Sequence, residues 1–268
     1  MGNRNGAAKA QKPAPWGTGR RLPPWIAVAS PLILITAWSA LSYSGAFPRE
    51  IVVPPDVIWQ TFVSKWASGE LPQHLGNSLL RLIVGYAIGA LTGLGLGTLM
   101  GASKQAEAYL MPSFMILRQL PTIALIPAFI LLFGVGETVK IVLVAKATAL
   151  PVALGAFQGV RNIPGGYLDV ARVFRVGVVT RFFRVILPAI LPALFQGLRT
   201  ALSHSWVVLV AAELLIADNG LGQMMEWGRQ SFRLDIVLLG VVLTGLIGFA
   251  LDKGFRILER AVSAGRTA

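Results

Sequence analysis

The sequence predicts an all-α, polytopic membrane protein of about six transmembrane helices. Three observations carry this reading. Only 13% of the 268 residues are charged, against about 25% in an average soluble domain. The mean hydropathy is +0.66, and the apolar residues gather in runs near the roughly 20 residues that a helix needs to cross a bilayer. The basic residues fall in the gaps between these runs. The net charge of +12 therefore reads as the positive-inside bias of membrane loops, and nucleic acid is not an expected partner. The chain has no cysteine, which removes disulfides, thiolate chemistry and cysteine-ligated metals. His74 and His204 are too far apart in sequence to suggest a histidine-rich metal site.

Residues 1–21 are basic and rich in Ala, Gly and Pro, the composition of a solvated tail. Residues 22–268 form the membrane domain. The first span is expected from about Trp25 to Tyr43. Arg20-Arg21 before it resembles a twin-arginine signal, but the apolar run exceeds a signal core and no A-x-A site follows. In the outer segment Ser44–Leu80, Pro54-Pro55-Asp56 is a helix-start signal. The apolar stripe of Val57, Ile58, Phe62 and Val63 follows it. Trp59 and Trp66 suit a helix at headgroup depth, and a simple amphipathic packing helix fits equally well.

The second span lies between Arg81 and Lys104. Its Gly85, Gly89, Gly93, Gly97 and Gly101 recur every four residues and so share one helix face. Small residues at that spacing let two helix backbones approach closely in lipid. Gly93-x-Gly95-x-Gly97 lacks the preceding strand and following acid of a dinucleotide fingerprint. The third span is expected between Arg118 and Glu137, interrupted by Pro121 and Pro127, with Pro112 just before it. The fourth runs from about Val139 to Phe157 and contains Lys146 and Pro151. A proline removes a backbone donor and kinks a helix, which is tolerated where protein or a cavity meets the freed carbonyls. The fifth span runs from about Leu198 to Ala217, and the sixth lies between Asp235 and Asp252.

With the N-terminus inside, sixteen basic residues fall in cytoplasmic segments and five in outer ones. This predicts both termini in the cytoplasm. Lys146, Glu213 and Arg199 are the ionisable groups embedded in spans, where charge is costly and usually faces protein. Lys146 and Glu213 are the candidate residues of a translocation pathway. For Lys146 one reading is a cation that eases an anion through. The other, which is favoured, is a lysine paired with Glu213 or snorkelling to the interface.

No catalytic constellation emerges. Ser203, His204 and Ser205 diverge around a helix and cannot make a nucleophile–base pair by themselves. No aspartate pair sits inside a span, and no Gly-x-x-x-x-Gly-Lys-[Ser/Thr] loop occurs. The chain is read as a non-enzyme that takes any ATP-derived energy from a partner.

The segment 158–188 is polar and lies on the inner side between the fourth and fifth spans. It holds Asp169, Val170, Ala171, Arg172, Val173, Phe174 and Arg175, then Val185, Leu187 and Pro188. This stretch resembles the EAA coupling loop of ATP-binding-cassette (ABC) importer permeases, which reads Glu-Ala-Ala, three residues, Gly, nine residues, Ile-x-Leu-Pro. Asp169 stands for the Glu, Ala171 for the second Ala, and Val185, Leu187 and Pro188 for the end. Arg175 occupies the usual Gly, and Gly177 lies two residues on. The likeness extends through Ser78-Leu79-Leu80-Arg81, Leu125-Ile126-Pro127, Phe133-Gly134-Val135-Gly136-Glu137 and Ala211-Ala212-Glu213. These look like the sulfonate/taurine/nitrate branch. Gly69-Glu70-Leu71 and Arg161-Asn162-Ile163 look most like its aliphatic-sulfonate members.

The resemblance implies a type I importer fold and import of an organosulfonate or a related small anion, with nitrate, taurine and bicarbonate as alternatives. It implies a second permease copy, a cytoplasmic ATPase dimer that carries ATP and Mg, and an external solute-binding protein that does most of the selecting. It places Asp169, Ala171, Arg172, Val173, Phe174, Arg175, Leu187 and Pro188 in ATPase coupling. Val173 and Phe174 would pack in the ATPase cleft, with Asp169, Arg172 and Arg175 at its edge. A stand-alone secondary transporter is the competing class. Such transporters often show internal repeats and intramembrane acids, whereas this chain has no clear repeat and offers only Glu213.

Overall fold

Proline and glycine set most of the helix boundaries in the computed structural model, which describes residues 24–45, 48, 51–164, 166, 173, 174 and 177–264. The chain divides into two compact units, residues 1–54 and 55–268. In the first, helix α1 (Pro24–Tyr43) has 20 residues and coincides with the first expected span. After it, the Ser42 hydroxyl donates to the Val52 carbonyl at 2.9 Å. The tail 1–21 lies outside the described residues.

The second unit starts with α2 (Pro55–Ala67), at the Pro-Pro-Asp signal. Trp59 stacks on Phe62 at 5.3 Å, Phe62 leans on Trp66, and both tryptophans are exposed. Helix α3 (Glu70–Ala102) begins three turns earlier than the charge-free window suggested, so Arg81 is a buried residue inside it. The sequence reading stopped the span at Arg81 because charge marks a boundary only when nothing neutralises it.

The third expected span, between Arg118 and Glu137, holds only a turn and a short helix, and a separate helix precedes it. Helix α4 (Lys104–Gln119) and helix α5 (Ile126–Phe133) are joined by a turn at Ile123–Leu125 and bent by 92°. The residue before a proline is pushed away from the helical region, and Leu120, before Pro121, has ψ 118° and ends α4. Pro127 sits in the first turn of α5, where its missing N–H costs nothing. Pro112 stays within α4.

Helix α6 (Glu137–Arg161) contains Pro151. Helix α7 (Val178–Arg181) runs through a wide turn at Phe182–Ile186 into α8 (Leu187–Ile216). The segment expected as a loop over 158–188 is therefore helical at both ends, and Leu187 and Pro188 open a long helix. Helices α9 (Leu221–Gln230) and α10 (Leu234–Ala264) complete the unit. Among the described residues, four helices are long and apolar enough to cross a bilayer, and the bent α4–α5 pair is either a broken fifth span or a re-entrant loop.

The centre of the unit is α6, packed between α3 and α8. The glycine face of α3 makes the first contact. A Cβ at Gly85 would stand 2.7 Å from Val144, and one at Gly93 would stand 2.5 Å from the Ala149 carbonyl. Gly89, Gly97 and Gly101 meet α6 in the same way. Gly95, off this face, has open space. The second contact is reciprocal: Gly155 of α6 approaches the Ala193 carbonyl, and Gly197 of α8 approaches the Pro151 carbonyl. Such close backbone packing is what holds helices together where lipid removes most of the hydrophobic drive.

Candidate functional site

A cavity of about 730 Å³ opens between the α4–α5 bend, the middle of α6 and the first half of α8. This is within the range of small-molecule sites. Its polar lining comprises Arg118, Gln119, Thr122, Lys146, Gln158, Gln196, Thr200 and His204. None of the residues lining it is acidic, so the cavity carries uncompensated positive charge. Lys146 is half-buried. Its ammonium donates to the Leu120 carbonyl at 3.0 Å and to the Thr122 hydroxyl at 3.1 Å. This explains a lysine midway along an apolar helix. The last carbonyls of α4 have no intrahelical partner, and a cation at a helix C-terminus is favourable. The expected pairing with Glu213 is not formed: Lys146 bonds Leu120 and Thr122, and Glu213 has other partners.

Glu213 lies elsewhere. It is buried near the C-terminal end of α8 and belongs to a neutralised cluster. Arg81 Nη1 donates to Glu213 Oε1 at 2.7 Å and to the Asn219 carbonyl at 2.8 Å. Its Nε and Nη2 grip Glu137 at 2.5 and 2.7 Å. Lys140 donates to Glu137 at 2.8 Å. The Ser78 hydroxyl and the Gly222 N–H complete the Glu213 carboxylate at 2.8 and 3.1 Å. His74 accepts from the Gly220 N–H at 2.9 Å. Gly220 has φ 118°, and a Cβ there would stand 2.5 Å from the Glu213 carboxylate, so only glycine fits. Two cations and two carboxylates thus tie α3, α6, α8 and the turn before α9 together. Glu213 is not among the residues lining the cavity, and its geometry is that of a structural clamp. Arg199, the third embedded group, pairs with Asp252 of α10 at 2.7 Å.

Of the expected coupling residues, Asp169, Ala171, Arg172 and Arg175 lie outside the described residues. Val173 and Phe174 are 79% and 76% exposed. Leu187 and Pro188 form the first turn of α8, beside the buried Ile186 and Ile190.

Residues 74–264 match the family described as "Binding-protein-dependent transport system inner membrane component". This chain belongs to that family. Its members are membrane permeases of ABC importers, and the match spans every element from α3 to α10. A Bacillus subtilis relative, "Putative aliphatic sulfonates transport permease protein SsuC", is 35% identical over 265 residues, 98% of this chain and 94% of the relative. The Escherichia coli protein of the same name is 36% identical over 240 residues, 90% of each chain. Among solved structures, the permease fold of the MetNI methionine ABC transporter superposes with a TM-score of 0.55 at 23% identity. It covers 69% of this chain and 94% of that one, and the likeness speaks for the fold.

Membership makes this chain the integral membrane subunit of an ABC importer of the sulfonate/taurine/nitrate branch. An ATPase partner and a solute-binding protein come with that role. Sequence reasoning singled out Lys146 among the cavity residues and missed Arg118, Gln158, Gln196, Thr200 and His204 as a set. The one available signal was that Gln158, Gln196 and Thr200 lie within three residues of Gly155, Gly159 or Gly197, where helices approach closely. It also missed the Arg81–Glu137–Glu213 cluster, whose members are up to 132 residues apart.

Proposed function

We propose that this permease carries an organosulfonate or a related small oxyanion into the cytoplasm, as one of two copies that together form the pathway. The acid-free cavity lined by Arg118, Lys146 and His204 carries this reading, because a sulfonate is a permanent anion and a carboxylate in its path would repel it. The sulfonate names of the relatives, along 90–98% of this chain, support the same solute class. Both termini lie in the cytoplasm in this reading, which the distribution of basic residues supports.

The exposed pair Val173 and Phe174 seats in a cleft of the ATPase. Asp169, Ala171, Arg172 and Arg175 flank it, and Leu187 and Pro188 pass its motion into α8. The helical path from Val179 to Ile216, which widens at Phe182–Ile186, supports this, since it joins the coupling segment's end directly to a long apolar helix.

The test is reconstitution of the permease with its ATPase and binding protein in liposomes, followed by ATP-driven uptake of labelled ethanesulfonate against taurine and nitrate. Saturable uptake of ethanesulfonate is expected. Uptake of nitrate in its place would move the substrate within the branch. Uptake driven by an ion gradient without ATP would sink the importer reading. Asp169→Lys is expected to reach the membrane and to abolish uptake, and normal transport by that variant would remove the docking role.

A further inference from the structure

We propose that Lys146 is a solute-responsive pin: it holds the α4–α5 bend in the resting permease and releases it when an oxyanion enters the cavity. The proposal rests on the oxyanion reading above and adds the element that the solute acts on. Leu120, Pro121 and Thr122 form the bend and also line the cavity. Within the bend the Ala124 N–H donates to the Pro121 carbonyl at 3.0 Å and the Leu125 N–H to the Thr122 carbonyl at 3.2 Å. But Pro121 has no N–H to donate and Leu120 has left the helical region, so the ladder of α4 does not continue into the bend. The bond from Lys146 to the Leu120 carbonyl, 26 residues away in sequence, is what ties the end of α4 to α6 at this point.

An ammonium has three N–H donors. Leu120 and Thr122 take two, both as neutral acceptors. Its third N–H is left for an anion, whose full charge adds an attraction that the neutral carbonyl and hydroxyl do not supply, and no carboxylate among the lining residues competes for Lys146. A sulfonate binds at that third N–H and pulls the ammonium against its two neutral acceptors, with Arg118 in the last turn of α4 as a second cation. The anion draws the ammonium off the bend, and the 92° junction loses its anchor. Differential affinity of this kind is what a ligand needs in order to shift a conformational equilibrium.

The chain has no native cysteine, so Ala124→Cys gives a single label site. Ala124 is exposed in the turn at Ile123–Leu125 and does not line the cavity. The full permease, bound to its ATPase in nanodiscs without nucleotide, would carry a nitroxide there. Millimolar ethanesulfonate is expected to narrow the spectrum, and uncharged ethanesulfonamide is expected to leave it unchanged. Lys146→Met should be mobile from the start and unresponsive. Thr122→Val, which keeps the charge and the fold, should raise the resting mobility and lower the ethanesulfonate concentration at half-effect severalfold. Lys146→Arg should keep a response.

An unchanged spectrum in the Lys146 protein while uptake proceeds would overturn the pin and leave the transport reading intact. A Lys146→Met spectrum as immobile as the parent's would overturn it too. A sulfonate-specific spectral change without ATP-driven uptake would leave the pin standing and break the transport reading.

Discussion

Two regions of this permease place charge in membrane-spanning helices, and they treat it in opposite ways. In the clamp, Arg81 and Lys140 meet Glu137 and Glu213, with Ser78, Asn219 and the Gly222 N–H taking up the remaining capacity. In the cavity, Arg118, Lys146 and His204 face no acid, and Lys146 leans on a carbonyl and a hydroxyl. The clamp keeps its charges by satisfying them, so it fixes helix ends. The cavity leaves positive charge to be satisfied by something that comes and goes. Intramembrane charge is a pointer to function only after its partners are known.

The largest expected effect comes from opening the clamp. Removing one partner of a buried ion pair strands the other and costs about 3–5 kcal/mol. Glu213→Leu should therefore lose most of its folded yield in detergent, measured by thermal unfolding and monodispersity. A Glu213→Leu protein as stable as the parent would erase the distinction between the two regions.

Next is the helix face beneath both. Gly97→Ala pushes a Cβ into the Ala153 backbone, and overpacking of this kind costs about 1–3 kcal/mol. Gly95→Ala, with open space around it, should leave the melting temperature unchanged. Equal effects at the two sites would refute the ladder.

In the cavity, the expected loss is of transport. Lys146→Met should cut ethanesulfonate uptake at least tenfold while assembly with the ATPase remains normal. Uptake at the parent's rate would remove Lys146 from the pathway.

The smallest effect belongs to the exposed pair of Glu226 and Arg229. The hydrogen bonds from Arg229, and then Gln230, hold the Glu226 carboxyl down at about 2. A depressed carboxyl contributes above its unfolded value and loses that contribution as pH falls through its folded one. Any effect should appear only between about pH 4.5 and 2. Glu226→Gln should match the parent in melting temperature at neutral pH, since exposed pairs contribute little. A clear loss there would mean this surface pair is stronger than its exposure allows.

The long apolar helices were legible because apolar length is a local matter, and the glycine face because a period of four is a local signal too; α4 and α9, shorter and more polar, were not. Pro55-Asp56 announced α2, and Pro121 and Pro127 announced an interruption. The angle of that interruption was not legible. A proline says that a ladder ends, and the path beyond it depends on what receives the freed carbonyl. The receiver of Leu120 is Lys146, on another helix. The same holds for Arg81, read as the edge of a span because its partners Glu137 and Glu213 lie 56 and 132 residues away.

By itself the sequence determined that this is a helical membrane chain, with basic residues between its apolar runs and one face of α3 built for close packing. Its motifs also pointed to the importer permeases. The tertiary structure alone decided which charges are structural and which are free to act. The reason is geometric: an ion pair forms over a few ångströms, and that distance between residues far apart in sequence is set by where helices break and how they turn about their axes. Those two quantities made Glu213 part of a clamp and left Lys146 at the wall of a cavity.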